Sequence, residues 1–512
     1  MSHADATGGG PPEIAPDGGG STPREGAARE FGPRERLAVW LLLGSSFVVI
    51  LNETVMGVAL PVMMEALDIS AAAGQWLTTV FLLAMSVVVP ITGMLIQRVS
   101  TRALFVVAMS AFSVGTLIAA CAPGLGVLLV GRVVQACGTA IMLPLLMTTV
   151  VTLVPERQRG RLMGRISIVM SVAPALGPTI SGIVLQLLSW RWLFIIMLPI
   201  ALIALVIGAV RMPNVGVRKH APIDAISVVL SAFAFGGLVY GLSEVGSAAV
   251  GGATVPPFIP VVIGVAALAL FVGRQIVLQR EDRALLDLRT FLSRPFALSA
   301  ALFVCASMAL FGSLILLPIY AQNVLGMSAL ETGLLLLPGG LLMGLLGPPV
   351  GRIIDARGVR PMLIPGAIIT ALALWSMVLF GVDTSVWQVF ATHLLLSVGL
   401  AGTFTPLFSV SLGSLPPTLA SHGSAMVATL QQVAGAAGTA LFVTVMTLVS
   451  VQAAGSPQGV DADALAHGTR IAFLLGGIIS TVGAAFAFFI REEPGDHHRE
   501  KLEAMSGNTH AQ

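Results

Sequence analysis

Of the 25 acidic residues in this 512-residue chain, Glu53 alone stands inside a long apolar run and away from its ends, in ILNETVMG (50–57). A charge at mid-membrane depth costs about 2.5 kcal/mol or more even on lenient insertion scales, and ionisable groups kept there are mostly functional. Desolvation favours the neutral form of a carboxylic acid, so an acid in such surroundings can gain and lose a proton near neutral pH. A structural acid hydrogen-bonded to a neighbouring helix is the plainer alternative. Arg132 is the one basic residue within an apolar run rather than at its edge. Arg132, Gln135 and Thr139 stand at i, i+3 and i+7 and share one helix face. That face must look toward polar partners or water. An arginine there can act electrostatically on Glu53 and change its hold on a proton; a fixed ion pair predicts the same residues.

Asn52 and Met56 lie within one turn of Glu53, and Gln431 and Gln432 sit among small residues, with Gly435, Gly438 and Thr439 one and two turns on. Uncharged amides and flexible thioethers suit a cavity that takes varied molecules without demanding charge. With Gln135 and Thr139 they form the candidate substrate cavity, although inter-helix hydrogen bonding accounts for the two glutamines equally well. Pro174, Gly177, Pro178, Ser181 and Gly182 are spaced i, i+3, i+4, i+7 and i+8. Small faces let helices approach closely, and proline removes backbone donors and bends a helix. His393 reads as a satisfied core histidine.

These residues need a scaffold. Charged residues make up 10% of the chain, against roughly a quarter in a soluble protein, and 56% are hydrophobic. A spanning helix needs about 20 mostly apolar residues. Fourteen stretches qualify: 37–60, 72–96, 103–121, 125–147, 163–187, 192–210, 222–243, 256–278, 295–318, 329–350, 362–380, 387–408, 423–450 and 469–490. Unbroken apolar runs exclude the period-2 alternation of a lipid-facing barrel, and lipid offers backbone groups no partners, so these are helices. With the N-terminus inside, alternate loops and the two tails hold 24 of the 27 basic residues. Outer loops keep only Arg191 and Arg470, and Arg132 is the last. This bias places both termini in the cytoplasm.

GMLIQRVSTR (93–102) and GRIIDARGVR (351–360) each follow the second helix of a half. The separation suits six helices plus two extra ones, and parallel six-helix repeats recur among secondary transporters. The expected organisation is a tail (1–33), a six-helix bundle (34–211), two extra helices with a cytoplasmic linker (212–293), a second six-helix bundle (294–491) and a tail (492–512). Gly93, Arg98, Arg102, Gly351, Asp355, Gly358 and Arg360 are candidate gating residues of the two loops. Loop arginines can bind helix carbonyl ends and opposing carboxylates, while inside-positive topology alone explains most of them.

Cys121, Cys137 and Cys305 fall in apolar runs without paired spacing, which argues against disulfides and structural zinc. The Gly/Pro-rich start lacks the apolar core of a signal peptide and reads as disordered. No GxxxxGK[ST] phosphate loop is present, so an ion gradient is the expected energy source. No nucleophile motif or metal-ligand spacing falls within the spans, so no enzyme is expected.

LNETVMGVALP (51–61), GRVVQACGTA (131–140), APALGPTISG (173–182), WRWLF (190–194), GRIIDARGVRP (351–361) and GSAMVATLQQVAGAAGTAL (423–441) occur in order on the expected helices. Together they resemble the major facilitator superfamily, in particular its fourteen-helix drug:proton antiporters (the EmrB/QacA-like group), closest to the lincomycin-resistance type. The resemblance covers about residues 37–490. It implies an all-α polytopic membrane protein of two six-helix halves with two extra central helices. It further implies proton-driven export of amphiphilic or cationic drugs by alternating access, with Arg132 taking part in proton transfer and the 174–182 stripe as the antiporter motif. The family pattern has Asp where this chain has Asn52, so the acid is displaced by one position, about 100° around the helix. Ser181 replaces the first glycine of the usual pair, Gln97 stands at the acid position of the first loop, and Ser100 at its second glycine. No cofactor is implied beyond the proton gradient. The partners implied are drugs, protons and lipid, without nucleic acid, for a monomer in the bacterial cytoplasmic membrane. The same fold could serve an exporter of one endogenous metabolite, lipid or antibiotic. A non-transporting scaffold or sensor would have no reason to bear the cost of Glu53 and Arg132.

Overall fold

The computed structural model describes residues 32–69, 71–154, 156–214, 224–249, 255–416, 418–456 and 459–490. Fourteen helices among them are long and apolar enough to cross a membrane, and no strand occurs among the described residues. They are α1 (Pro33–Ala66), α2 (Ala71–Arg98), α3 (Thr101–Ala120), α4 (Leu125–Leu153), α5 (Glu156–Leu187), α6 (Arg191–Arg211), α7 (Ala225–Ala249), α8 (Phe258–Leu278), α9 (Arg294–Asn323), α10 (Ala329–Arg357), α11 (Arg360–Met377), α12 (Val386–Gly413), α13 (Ala420–Ala454) and α14 (Ala462–Phe489). The tails expected at the termini lie outside the described residues, except at Gly32 and Pro33, where α1 already begins.

Helix starts are written in short polar side chains. Ser100, Ser293, Ser328, Ser385 and Asp461 each accept a backbone N–H of the following first turn, supplying acceptors for donors that helix geometry leaves orphaned. Prolines stand inside several helices, among them Pro90, Pro144, Pro338 and Pro406. Such breaks are tolerated where neighbouring helices and polar side chains re-satisfy the backbone.

The packing pattern repeats. In the first half α3 packs on α4 and α6, α2 on α4, and α1 on α5, α4 and α6. In the second, α11 packs on α12 and α14, α10 on α12, and α9 on α13, α12 and α14. Shifting every label by eight maps one set onto the other, which is a parallel repeat of six helices. Between the halves the equivalent pairs are α5 with α10 and α2 with α13, and α12 with α5 and α4 with α13.

The repeat is broken by α7 and α8. Helix α7 touches α2 of one half and α13 of the other, whereas α8 packs chiefly on α7. Trp76 of α2 lies against Tyr240 of α7, ring centroids 5.6 Å apart, and Thr444 of α13 donates to the Val245 carbonyl at 3.5 Å. At the arginine-rich end Arg274 of α8 makes a paired contact with Asp224 just before α7, 2.6 and 2.7 Å. Arg274 holds the Asp224 carboxyl well below the usual carboxylate range. Gln275 bonds Ser227 of α7 at 2.8 Å and accepts the Leu285 N–H at 2.7 Å, which fixes the following linker. His422 of α13 bonds the Leu285 carbonyl at 3.2 Å, so the linker also reaches the second half.

Candidate functional site

Position 53 lies deep in the bundle yet keeps part of its side chain accessible. Glu53 is thus half-buried, neither sealed off nor open. Asn52, the neighbouring position at which the family pattern places its acid, is 2% exposed, and its Oδ1 has no hydrogen-bond partner. The one-residue displacement puts the acid on the accessible side of α1. Among the described residues none forms a hydrogen bond or contact ion pair with Glu53; Arg132 is the charged group that acts on it through space.

Arg132 is fully enclosed, at 1% exposure. Its Nη1 donates to Gln135 Oε1 at 2.7 Å and its Nε to the Leu77 carbonyl of α2 at 3.3 Å. The guanidinium carbon lies 4.0 Å from the centroid of the Phe81 ring. Gln135 Nε2 in turn donates to Thr116 Oγ1 of α3 at 2.9 Å, and Thr116 to the Phe112 carbonyl at 2.7 Å. Gly115 makes this reach short: a Cβ there would collide with the Gln135 backbone N–H group's nitrogen and, at 2.6 Å, the Gly131 carbonyl oxygen. Helices α3 and α4 thus meet backbone to backbone, as small-residue faces allow in membranes.

Other expected cavity residues are placed differently. Gln135 is 0% exposed with both ends of its amide taken, so it clamps Arg132 instead of lining open space. Thr139 is buried, its hydroxyl donating to the Gln135 carbonyl at 3.1 Å. Asn52 and Met56 are buried as well. Gln431 and Gln432 of α13 remain half-accessible, and Gln432 Nε2 approaches Met85 Sδ of α2 at 3.4 Å. The sequence could place the polar residues on one face; it could not say how much of that face the clamp would consume.

The stripe on α5 also divides. Gly177 meets α1 beside Glu53: a Cβ there would collide with Thr54 Oγ1 and come 2.9 Å from Thr54 Cβ. The Thr54 hydroxyl donates to the Leu51 carbonyl at 3.0 Å and to the Ala173 carbonyl at 3.4 Å. Pro174 is half-buried and Ser181 is buried with an unpartnered hydroxyl, whereas Gly182 faces open space and takes no part in the close approach. The Pro178 side chain lies outside the described residues. Overpacking such a contact costs about 1–3 kcal/mol. Gly177→Ala is accordingly expected to lower the thermal unfolding temperature of the purified protein by several degrees. Adding Thr54→Ala should recover most of the loss, a coupling that a double-mutant cycle measures.

The two loops act largely within their own halves. The Arg102 N–H donates to Asn214 Oδ1 at 3.3 Å, and Arg360 Nη2 donates to the Phe488 carbonyl at 3.2 Å, capping α14. Gly358 ends α10 at φ 81°, a backbone region that suits glycine. Gly351 is buried, Arg98 half-buried and Asp355 exposed. The contact across the halves comes from Gln97, which occupies the acid position: its Nε2 donates to Ser421 Oγ of α13 at 2.7 Å. Beside it, a Cβ on Gly93 would lie 3.1 Å from Ala425 Cβ and from the Ser421 carbonyl oxygen. Thr148 of α4 and Ser424 of α13 share a hydroxyl hydrogen bond of 2.6 Å. Val89, Ala140 and Ala428 then form a small apolar layer. On the other seam a Cβ at Gly164 of α5 would collide with the Gly347 carbonyl of α10. The halves are shut at the arginine-rich end, and Gln432, Gln431, Glu53 and Arg132 lie beyond this seal. Sequence reasoning missed Thr54, Phe81, Thr116, Thr148, Ser421 and Ser424. Hydroxyls in apolar helices gave a faint signal; one phenylalanine among 23 gave none.

The profile described as Major Facilitator Superfamily matches residues 42–439. The chain is 41% identical over 468 residues to the "Lincomycin resistance protein LmrB" of Listeria monocytogenes, covering 91% of this chain and 98% of that one. It is 30% identical over 452 residues to a "Multidrug resistance protein B homolog" of Mycobacterium tuberculosis, covering 86% and 82%. Among solved structures, the human organic anion transporter MFSD10 (TETRAN) aligns with a TM-score of 0.61 at 16% identity, over 88% of this chain and all of that one. That last likeness concerns the fold.

Proposed function

The chain belongs to the major facilitator superfamily, as a multi-pass membrane transporter and not an enzyme, and on that premise we propose that it exports amphiphilic or cationic drugs in exchange for protons. Glu53 carries this reading: a half-buried acid deep in the bundle, with a clamped arginine as its charged neighbour. In the proposed cycle the cavity opens toward the cytoplasm and drug binds among Gln431, Gln432 and the apolar walls. The halves then rock to the sealed arrangement described above, and Glu53 exchanges drug for a proton from outside. Arg132 biases the proton occupancy of Glu53 by its charge. Both termini lie in the cytoplasm in this scheme, and the protein works as a monomer in the bacterial cytoplasmic membrane.

Lincomycin is a natural first substrate to try, given the name borne by the Listeria relative. The test is efflux of ethidium, and growth in lincomycin, by drug-sensitive bacteria producing the protein. Efflux severalfold above that of control cells, abolished by a protonophore, is the expected result. Efflux that survives the protonophore but stops without sodium would replace the proton by sodium. Resistance to lincomycin without ethidium transport would favour a narrow-specificity exporter.

A further inference from the structure

Gln135 explains how α4 holds Arg132 from within its own helix; the other side of the guanidinium is held by α2. Leu77 offers its carbonyl at 3.3 Å and Phe81, one turn on, offers its ring face at 4.0 Å. Both residues are buried, Leu77 at 0% and Phe81 at 1% exposure. A cation over an aromatic face is attracted by the ring quadrupole, and the attraction grows when water is excluded. An aliphatic side chain of similar bulk would fill the space without that attraction. We infer that Phe81 is a positioning residue for the coupling site: with the Leu77 carbonyl it forms the second jaw of a clamp that fixes where the Arg132 charge stands relative to Glu53. The inference rests on the reading of Glu53 and Arg132 as the coupling pair.

The neighbourhood contains little else to set that field. The only charged residues of α2 and α3 are Arg98 and Arg102, both at the arginine-rich end. Thr116 of α3 and Gln432 of α13 are neutral, and His422 of α13 stands with the linker at the arginine-rich end. On α1, Arg34, Glu35, Arg36 and Glu65 stand at the helix ends. Of the helices packed on α1, α5 carries Glu156, Arg157, Arg159, Arg161 and Arg165 in its first ten residues, and α6 carries Arg191 and Arg211 at its two ends. On α7, which packs on α2, the buried Glu244 lies near the helix end and accepts the Val255 N–H at 3.5 Å. Arg132 is the charged group that acts on Glu53 through space, so the groups that hold its guanidinium bear on that action. Through Met85, Gly93 and Gln97 the same helix α2 also makes the contacts with α13, so the jaw is built on an element of the seam.

The test is the pH dependence of ethidium transport in everted membrane vesicles for wild type, Phe81→Leu and Phe81→Tyr, normalised to the amount of protein in the membrane. Phe81→Leu is expected to move the pH midpoint by about half a unit to one unit. Phe81→Tyr, which keeps the ring face, is expected to return it to the wild-type value. Should Phe81→Leu fail to reach the membrane, Phe81→Met carries the same expectation. A wild-type midpoint in Phe81→Leu, or an equal displacement in Phe81→Tyr, overturns the inference and leaves the drug:proton reading standing. A wild type that transports without any response to pH or protonophore overturns that reading and the inference with it.

Discussion

Glu53→Gln is expected to abolish protonophore-sensitive ethidium efflux while leaving the protein in the membrane at wild-type amount. The substitution keeps the size and polarity of the side chain and removes only its proton exchange. No hydrogen bond or contact ion pair to Glu53 exists among the described residues, so the amide forfeits no native contact. A structural acid, by contrast, would show its loss as reduced protein in the membrane. The drop should be on the order of a hundredfold, the scale on which proton-transferring groups act in enzymes, and in cells it would read as efflux at the background rate. Returning the acid to the neighbouring position, with Asn52→Asp and Glu53→Asn together, is expected to leave efflux at background. Position 52 is enclosed where position 53 is accessible, and a carboxylate at position 52 would be desolvated without a route for its proton. Efflux by Glu53→Gln at the wild-type rate would mean that the acid is structural.

The second large effect concerns the seal. Thr148 Oγ1 and Ser424 Oγ are 2.6 Å apart across the two halves, and a disulfide needs its sulfurs about 2.05 Å apart. Cysteines at both positions, in a background with Cys121, Cys137 and Cys305 replaced by serine, are expected to cross-link on oxidation. The three native cysteines are unpaired, so their removal breaks no bridge. The alternating-access cycle proposed above requires α4 and α13 to part at the arginine-rich end in every turn. Oxidation should therefore stop efflux to background, a loss of roughly tenfold or more for a cycle blocked at a conformational step, and a reductant should restore it. Loss of maleimide labelling reports the cross-link itself. Efflux undiminished in fully cross-linked protein would mean that this contact never opens.

The helices were legible because lipid leaves so few choices. A run of apolar residues long enough to span must be helical, so the spans could be read without any contact, and the two loop motifs pointed to the eight-label repeat. That Glu53 and Arg132 stand inside the helical bundle was legible for the same reason: charge in such a run is costly and draws notice. The distribution of roles around them was not legible. Gln135 and Thr139 share a face with Arg132, and helical spacing cannot tell a side chain that lines a cavity from one spent on its neighbour. Phe81 carries no signal at all, since aromatic residues in a span are ordinary and its role depends on which helix packs opposite. Gln97 shows the converse. In the sequence it stood only as a departure from the family pattern, yet the amide is what crosses to Ser421. Gly182 fitted the small-residue spacing of α5 but meets nothing, because a stripe on a long helix extends past the partner it packs against.

Helix α7 gives the molecule two unlike flanks. On one, α5 and α10 meet directly; on the other, α7 lies against both α2 and α13. A rocking motion that treats the two seams alike within the repeat does not treat them alike within the bilayer. If the halves rock as proposed, acyl chains and anything dissolved among them would face the cleft where α5 and α10 part, whereas behind α7 the same parting would stay curtained by protein. For the export proposed above, an amphiphile in the membrane leaflet would meet the α5–α10 seam uncovered and the α2–α13 seam behind α7, so its approach would be directional before any cavity residue touched it.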